Sequence, residues 1–168
     1  KMKIALFGHS LGGLITAATA TGETNADMLI LSSPSLAIGK FINVLSIFPN
    51  WLLGKIYVKK LRSESPEMLA HSHNDPMSCT YFTLRLVRES FICGRRNTIK
   101  QLGNINMPVL LLGGRNDPFV KSGKFEILLE KFGTPDKKII IYENAKHRIV
   151  QNDAREKSIP DIINWLNK

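Results

Sequence analysis

Ser10, Asp117 and His147 are the residue types that together turn a serine hydroxyl into a nucleophile. Serine alone is a weak nucleophile at neutral pH and needs an adjacent base. A histidine can take its proton and later return it to a leaving group. An aspartate can fix the histidine tautomer and stabilise the imidazolium. Ser10 stands in Gly8-His9-Ser10-Leu11-Gly12-Gly13, after the apolar run Ile4-Ala5-Leu6-Phe7 and before the small-residue stretch Leu14 to Ala20. G-x-S-x-G between a strand and a helix is a sharp turn that lifts the serine hydroxyl clear of a sheet. The turn is tight, so Gly8 and Gly12 read as positions where a Cβ would clash. The backbone N–H of Leu11, at the helix start, is the expected donor to a developing oxyanion. Asp117 follows Gly113-Gly114-Arg115-Asn116, and His147 follows Glu143-Asn144-Ala145-Lys146. Asp117 before Pro118 also reads as a plain turn, and Asp153 is a competing acid after His147.

These residues need a scaffold, and the pattern supplies one. Lys3–Phe7 and Met28–Leu31 read as buried strands, Val109–Leu112 as a third, continuous apolar strand and Lys138–Tyr142 as a fourth. Leu11–Thr21 reads as a helix stopped by Gly22. Lys121–Phe132 has Phe125, Leu128, Leu129 and Phe132 at i, i+3, i+4, i+7. A last helix, capped by Ser158, presents Ile159, Ile162, Ile163 and Leu166. Continuous apolar strands alternating with amphipathic helices predict an α/β domain with about four parallel strands and helices on both faces. Asp117 and His147 then fall in loops at the C-terminal ends of strands, where open α/β sheets bind ligands.

Residues 35–105 break the rhythm. Leu36–Val58 is apolar with scattered lysines, and Met77–Cys93 reads as helical. The expected organisation is a partial core of residues 1–34 and 106–168, with a helical lid inserted at 35–105. The chain carries a net charge of +9, and residues 35–105 hold ten Lys/Arg against four acids. A basic segment beside an apolar run suits an anionic membrane surface, so peripheral contact through residues 35–60 is expected. A solvated basic face is the plainer reading of the same charges. Phe41–Gly54 is too short to span a bilayer and is broken by Pro49. No aromatic–basic interleaving points to nucleic acid.

The 168 residues are 43% hydrophobic, enough for one domain with a core. Two cysteines, Cys79 and Cys93, lack disulfide or metal spacing and read as free thiols. His71 and His73 form H-x-H without a third ligand, so no metal and no cofactor is expected. His9 reads as a packing and hydrogen-bonding neighbour of the Ser10 turn. No signal-peptide pattern is visible, and the expected location is cytoplasmic with peripheral membrane association.

With Gly8–Gly13, Leu29–Pro34 (LILSSP), Asn74-Asp75-Pro76, Pro108–Asp117 (PVLLLGGRND) and Ile141–His147 (IYENAKH) assembled, the chain resembles the C-terminal portion of the monoacylglycerol (monoglyceride) lipase family of α/β-hydrolases. The resemblance implies a serine esterase hydrolysing monoacylglycerol or a similar lipid ester, with Ser10, Asp117 and His147 at the family's triad positions. The implied fold is an α/β-hydrolase lacking its N-terminal strands, since only one strand precedes Ser10 and the family's His-Gly oxyanion loop has no counterpart. Self-association through an exposed N-terminal strand is a further expectation. The alternative is an inactive remnant, or a fragment that binds a membrane or a partner.

Overall fold

A computed structural model describes residues 2–38, 49–59, 77, 79, 81–151 and 154–168. Its centre is a four-stranded sheet in the order β1-β2-β5-β6, all parallel. The strands are β1 (Ala5–His9), β2 (Met28–Ser32), β5 (Val109–Gly114) and β6 (Lys137–Tyr142). A two-stranded antiparallel pair, β3 (Tyr57–Lys59) with β4 (Tyr81–Thr83), lies between β2 and β5 in sequence.

Strand β2 and strand β5 are buried along their whole length, as unbroken apolar runs require. Their side chains alternate between two cores. Leu29, Leu31, Val109 and Leu111 face the first, with Leu14 and Ala17 of α1 (Leu11–Ala20). Met28, Ile30, Leu110 and Leu112 face the second, with Trp165 of α6 (Arg155–Leu166). The parallel sheet with flanking helices is thus the architecture that the sequence pattern predicts.

Strand β1 is an edge of the sheet, as expected of an exposed N-terminal strand; the burial read from its apolar run does not hold, and Phe7 is 47% exposed. Other elements differ from expectation. The helix expected over Lys121–Phe132 is a 3-10 turn, Ser122–Lys124, followed by the short α5 (Phe125–Leu129). The last helix begins four residues earlier than predicted, with Ala154 rather than Ser158 before its first turn. Ser158 lies inside it, fully buried, and its hydroxyl donates to the Ile149 carbonyl rather than capping. Ile163 is 49% exposed, and Trp165 takes the buried position instead.

The segment between β2 and β5 begins with a 3-10 turn, Ser35–Ala37, and contains α2 (Asn50–Leu53). The stretch predicted as one helix over Met77–Cys93 holds β4 first. Then α3 (Leu84–Arg88), a π-helical Glu89–Gly94 and α4 (Arg95–Gln101) follow one another. Thr83 caps α3, its hydroxyl accepting from the Leu86 N–H at 3.1 Å. Both ends of the segment are embedded in the first core, through Leu36 and Ala37 at one end and Leu102 and Ile105 at the other. Arg95 Nε donates to the Leu36 carbonyl at 2.8 Å and ties the ends together. His71, His73, the Asn74-Asp75-Pro76 stretch and Asp153 lie outside the described residues.

Candidate active site

The turn from β1 into α1 places Ser10 at φ 54°, a backbone conformation that side chains other than glycine rarely adopt. Several hydrogen bonds hold it there. Its N–H donates to the Ser32 carbonyl at 3.0 Å, and its carbonyl accepts from Leu14 N at 3.2 Å and Ser35 N at 2.9 Å. Such strain persists only where surrounding contacts over-determine it, which is common where a side chain must be presented for chemistry.

The glycines divide differently from the sequence expectation. A Cβ on Gly8 would collide with the Thr16 hydroxyl and stand 2.6 Å from the Gly12 carbonyl oxygen. A Cβ on Gly12 would meet nothing within 4 Å, so the steric reason assigned to Gly12 does not apply. The second crowded position is Gly13, where a Cβ would lie 3.0 Å from Pro34 and 3.1 Å from the Gly8 carbonyl oxygen.

Asp117 follows β5 and is buried. Its Oδ1 accepts from the Phe119 N–H at 2.8 Å and the Val120 N–H at 3.0 Å. The turn reading and the acid reading are therefore both satisfied, because the other oxygen, Oδ2, faces His147 Nδ1 at 2.7 Å. Burial alone would raise the carboxyl pKa. The hydrogen bonds from His147, Val120 and Phe119 outweigh it and hold the group below the usual carboxylate range.

His147 follows β6 and reaches across the strand ends. Its Nε2 lies 2.8 Å from Ser10 Oγ. An ionised carboxylate can only accept, so Nδ1 carries the hydrogen and donates to Asp117. Nε2 is then the acceptor, and the Ser10 hydroxyl donates to it. The structure brings together the three residues singled out by type and order. The Leu11 N–H lies in the first turn of α1, where no intrahelical acceptor exists.

The loops carrying Asp117 and His147 are fastened to each other. Arg115 donates from Nε to Glu143 Oε2 at 3.0 Å and from Nη2 to Glu143 Oε1 at 2.8 Å. Asn116 donates its backbone N–H to the Ala145 carbonyl at 3.0 Å and its side-chain amide to the Glu143 carbonyl at 3.2 Å. Gly114 lets the loops close, since a Cβ there would strike the Ala145 and Lys146 carbonyls. The pairing of these two stretches is not among the expectations drawn from the sequence. The R-N-D and E-N-A-x-H spacings carried that signal.

Two rings stand against His147: His9, with centroids 4.9 Å apart and planes tilted by 52°, and Phe119, at 5.3 Å and nearly perpendicular. His9 Nδ1 is 3.2 Å from the buried Ser32 hydroxyl. Burial, with the neighbouring His147 and Arg148, lowers the His9 pKa to about 4, so the ring is neutral at neutral pH. Among the described residues, no group of three His, Cys, Asp or Glu could hold a metal ion. Nor is any described helix long and apolar enough to cross a membrane.

Comparison with known proteins gives a consistent picture. The sequence pattern of the family described as Serine aminopeptidase, S33 matches residues 1–154. Human monoglyceride lipase is 26% identical over 97% of this chain and 55% of its own length; the mouse protein is 25% identical over 96% and 54%. The chain spans about half the length of the curated relatives it matches. A monoacylglycerol lipase structure from Paleococcus ferrophilus is 26% identical, superposes with a TM-score of 0.76, and matches 98% of this chain and 68% of that one. A soluble variant of Saccharomyces cerevisiae monoglyceride lipase, solved with a substrate analogue, is 18% identical over 96% of this chain and 63% of its own, with a TM-score of 0.79; that likeness shows the shared α/β-hydrolase fold.

Proposed function

Because the chain belongs to the Serine aminopeptidase, S33 family of hydrolases, we propose that it cleaves lipid esters, monoacylglycerols first among them, through an acyl-Ser10 intermediate. The observation that carries this reading is the hydrogen-bonded series from Ser10 Oγ through His147 to the buried carboxylate of Asp117. In this mechanism Ser10 Oγ attacks the ester carbonyl carbon while its proton passes to His147 Nε2. Asp117 stabilises the imidazolium without itself taking the proton. The Leu11 N–H donates to the carbonyl oxygen as negative charge gathers there. The carbon–oxygen bond to glycerol then breaks as His147 returns the proton to the departing oxygen. Water, deprotonated by His147, attacks the acyl-serine, and the fatty acid leaves as Ser10 regains its proton.

Both names attached to the relatives describe acyl transfer and differ in the leaving group, an amine or an alcohol. Residues 35–105 act as a cap whose two ends are anchored in the core. Trp51, 68% exposed and with Lys55 Nζ 6.0 Å from its ring centroid, together with the exposed Leu86 and Arg85, would rest on the lipid surface. The test is fatty-acid release from a long-chain monoacylglycerol beside amine release from an aminoacyl anilide, each with a Ser10→Ala control. The reading expects Ser10-dependent release from the ester alone. Ser10-dependent cleavage of the anilide alone would move the activity to peptides, and no release from either would remove the assignment.

A further inference from the structure

His147 keeps both partners only while its imidazole holds one orientation about the Cβ–Cγ bond. A swing about that bond moves Nδ1 and Nε2 off line together, and hydrogen bonds weaken steeply with misalignment. Rings packed against the imidazole oppose that swing. Only His9 and Phe119 are rings in such contact among the described residues. Phe119 is held by its own N–H on Asp117 Oδ1. His9 is held by Ser10 beside it in the chain and by Ser32, whose hydroxyl is fully buried and whose carbonyl accepts the Ser10 N–H. Ser32 thus fastens the nucleophile with one group and the neighbouring ring with another.

We propose that His9 is a positioning residue for His147: its ring, tethered to Ser32, sets the orientation in which His147 faces Asp117 with Nδ1 and Ser10 with Nε2, and Phe119 supplies the second contact. Neutrality matters because His147 becomes a cation during turnover, and a second positive charge 4.9 Å away would oppose that step. Arg148 and Asp117 are the other charged groups acting on His9. Burial and the positive charge of Arg148 and of protonated His147 keep its ring uncharged at neutral pH. The inference rests on the reading of His147 as the base toward Ser10.

The experiment reads the ring directly. The 15N shifts of the His147 imidazole, assigned with His147→Gln, report which nitrogen carries the proton in the wild type, His9→Ala, His9→Phe and Ser32→Ala. The same proteins are then labelled with a fluorophosphonate. In the wild type a single Nδ1–H tautomer is expected. Either His9→Ala or Ser32→Ala should give mixed tautomers and a labelling rate lower by roughly tenfold, the order expected for slight misplacement of a reacting group. His9→Phe, which restores a neutral ring, should recover most of both losses. A packing role alone would lower the melting temperature and leave the tautomer untouched. Folded His9→Ala and Ser32→Ala proteins with the wild-type tautomer and labelling rate would overturn the inference; should His9→Ala not fold, Ser32→Ala decides it. An unlabelled wild type would instead overturn the Ser10 reading, and the ring nitrogens would still decide the role of His9.

Discussion

Asp117 and His9 touch the same imidazole and need opposite charge states. Asp117 must stay ionised to hold the Nδ1–H, and three hydrogen bonds keep it so. Asp117→Asn keeps the shape and removes the charge, so His147 can adopt the wrong tautomer. Fluorophosphonate labelling of that variant should fall by about 10³–10⁴-fold; a near wild-type rate would move the acid's role elsewhere. His9 must stay neutral, and that links stability to pH. Above 6.5, its ordinary value, the ring is neutral folded and unfolded and contributes nothing. Between 6.5 and about 4 the unfolded ring binds a proton that the folded ring refuses, so stability falls as pH drops. The depressed Asp117 adds a loss of the same sign at more acidic pH, as its carboxylate is protonated. Melting curves should show His9→Phe losing less stability than the wild type from pH 6.5 to 4. Parallel curves would contradict the buried-neutral assignment.

Among the elements, three loops at the C-terminal ends of β1, β5 and β6 hold the site. Gly8 controls the tightest of them. Gly8→Ala should lower stability by about 1–3 kcal/mol, because the new methyl meets the Gly12 backbone and cannot move aside. Gly12→Ala should fold normally, since that space is open. Thermal melts of the two variants check both expectations, and equal losses would refute the division. These glycines also illustrate what the sequence could carry. Ser10, Asp117 and His147 were legible because residue type, order and the strand before each one agreed. Strands β2 and β5 were legible because burial on both faces leaves an unbroken apolar run. Crowding at Gly13 rather than Gly12 was not legible, because it depends on where Pro34 comes to lie. The start of the last helix is hidden because Ser158 looks like a cap, while its hydroxyl donates to the Ile149 carbonyl from inside the helix. Neither His9 nor Phe119 could be matched to His147 from the sequence, since the three meet only when β1, β5 and β6 come together.

At the scale of the whole molecule, two surfaces stand out. One is the outer edge of β1, where Phe7 and Ile4 are each about half exposed. An open apolar strand edge tends to pair with other chains. The other is the surface built from α2 and α3 with its basic neighbours, where Trp51 projects. Trp51→Asp should weaken sedimentation with anionic phospholipid vesicles at least several-fold, since it removes an interfacial aromatic and adds a repelled charge. The melting temperature should hardly change, because the side chain is exposed. Undiminished vesicle binding would rule out lipid contact through Trp51.

The strained turn at Ser10 should deliver an activated hydroxyl, and a covalent probe reads that hydroxyl. The purified chain, its fold checked by circular dichroism, is treated with a fluorophosphonate probe beside Ser10→Ala. The wild type should be labelled at Ser10 and the variant not at all. A folded wild-type chain that stays unlabelled would contradict this: the hydrogen-bonded series would then hold three residues in place without activating the serine.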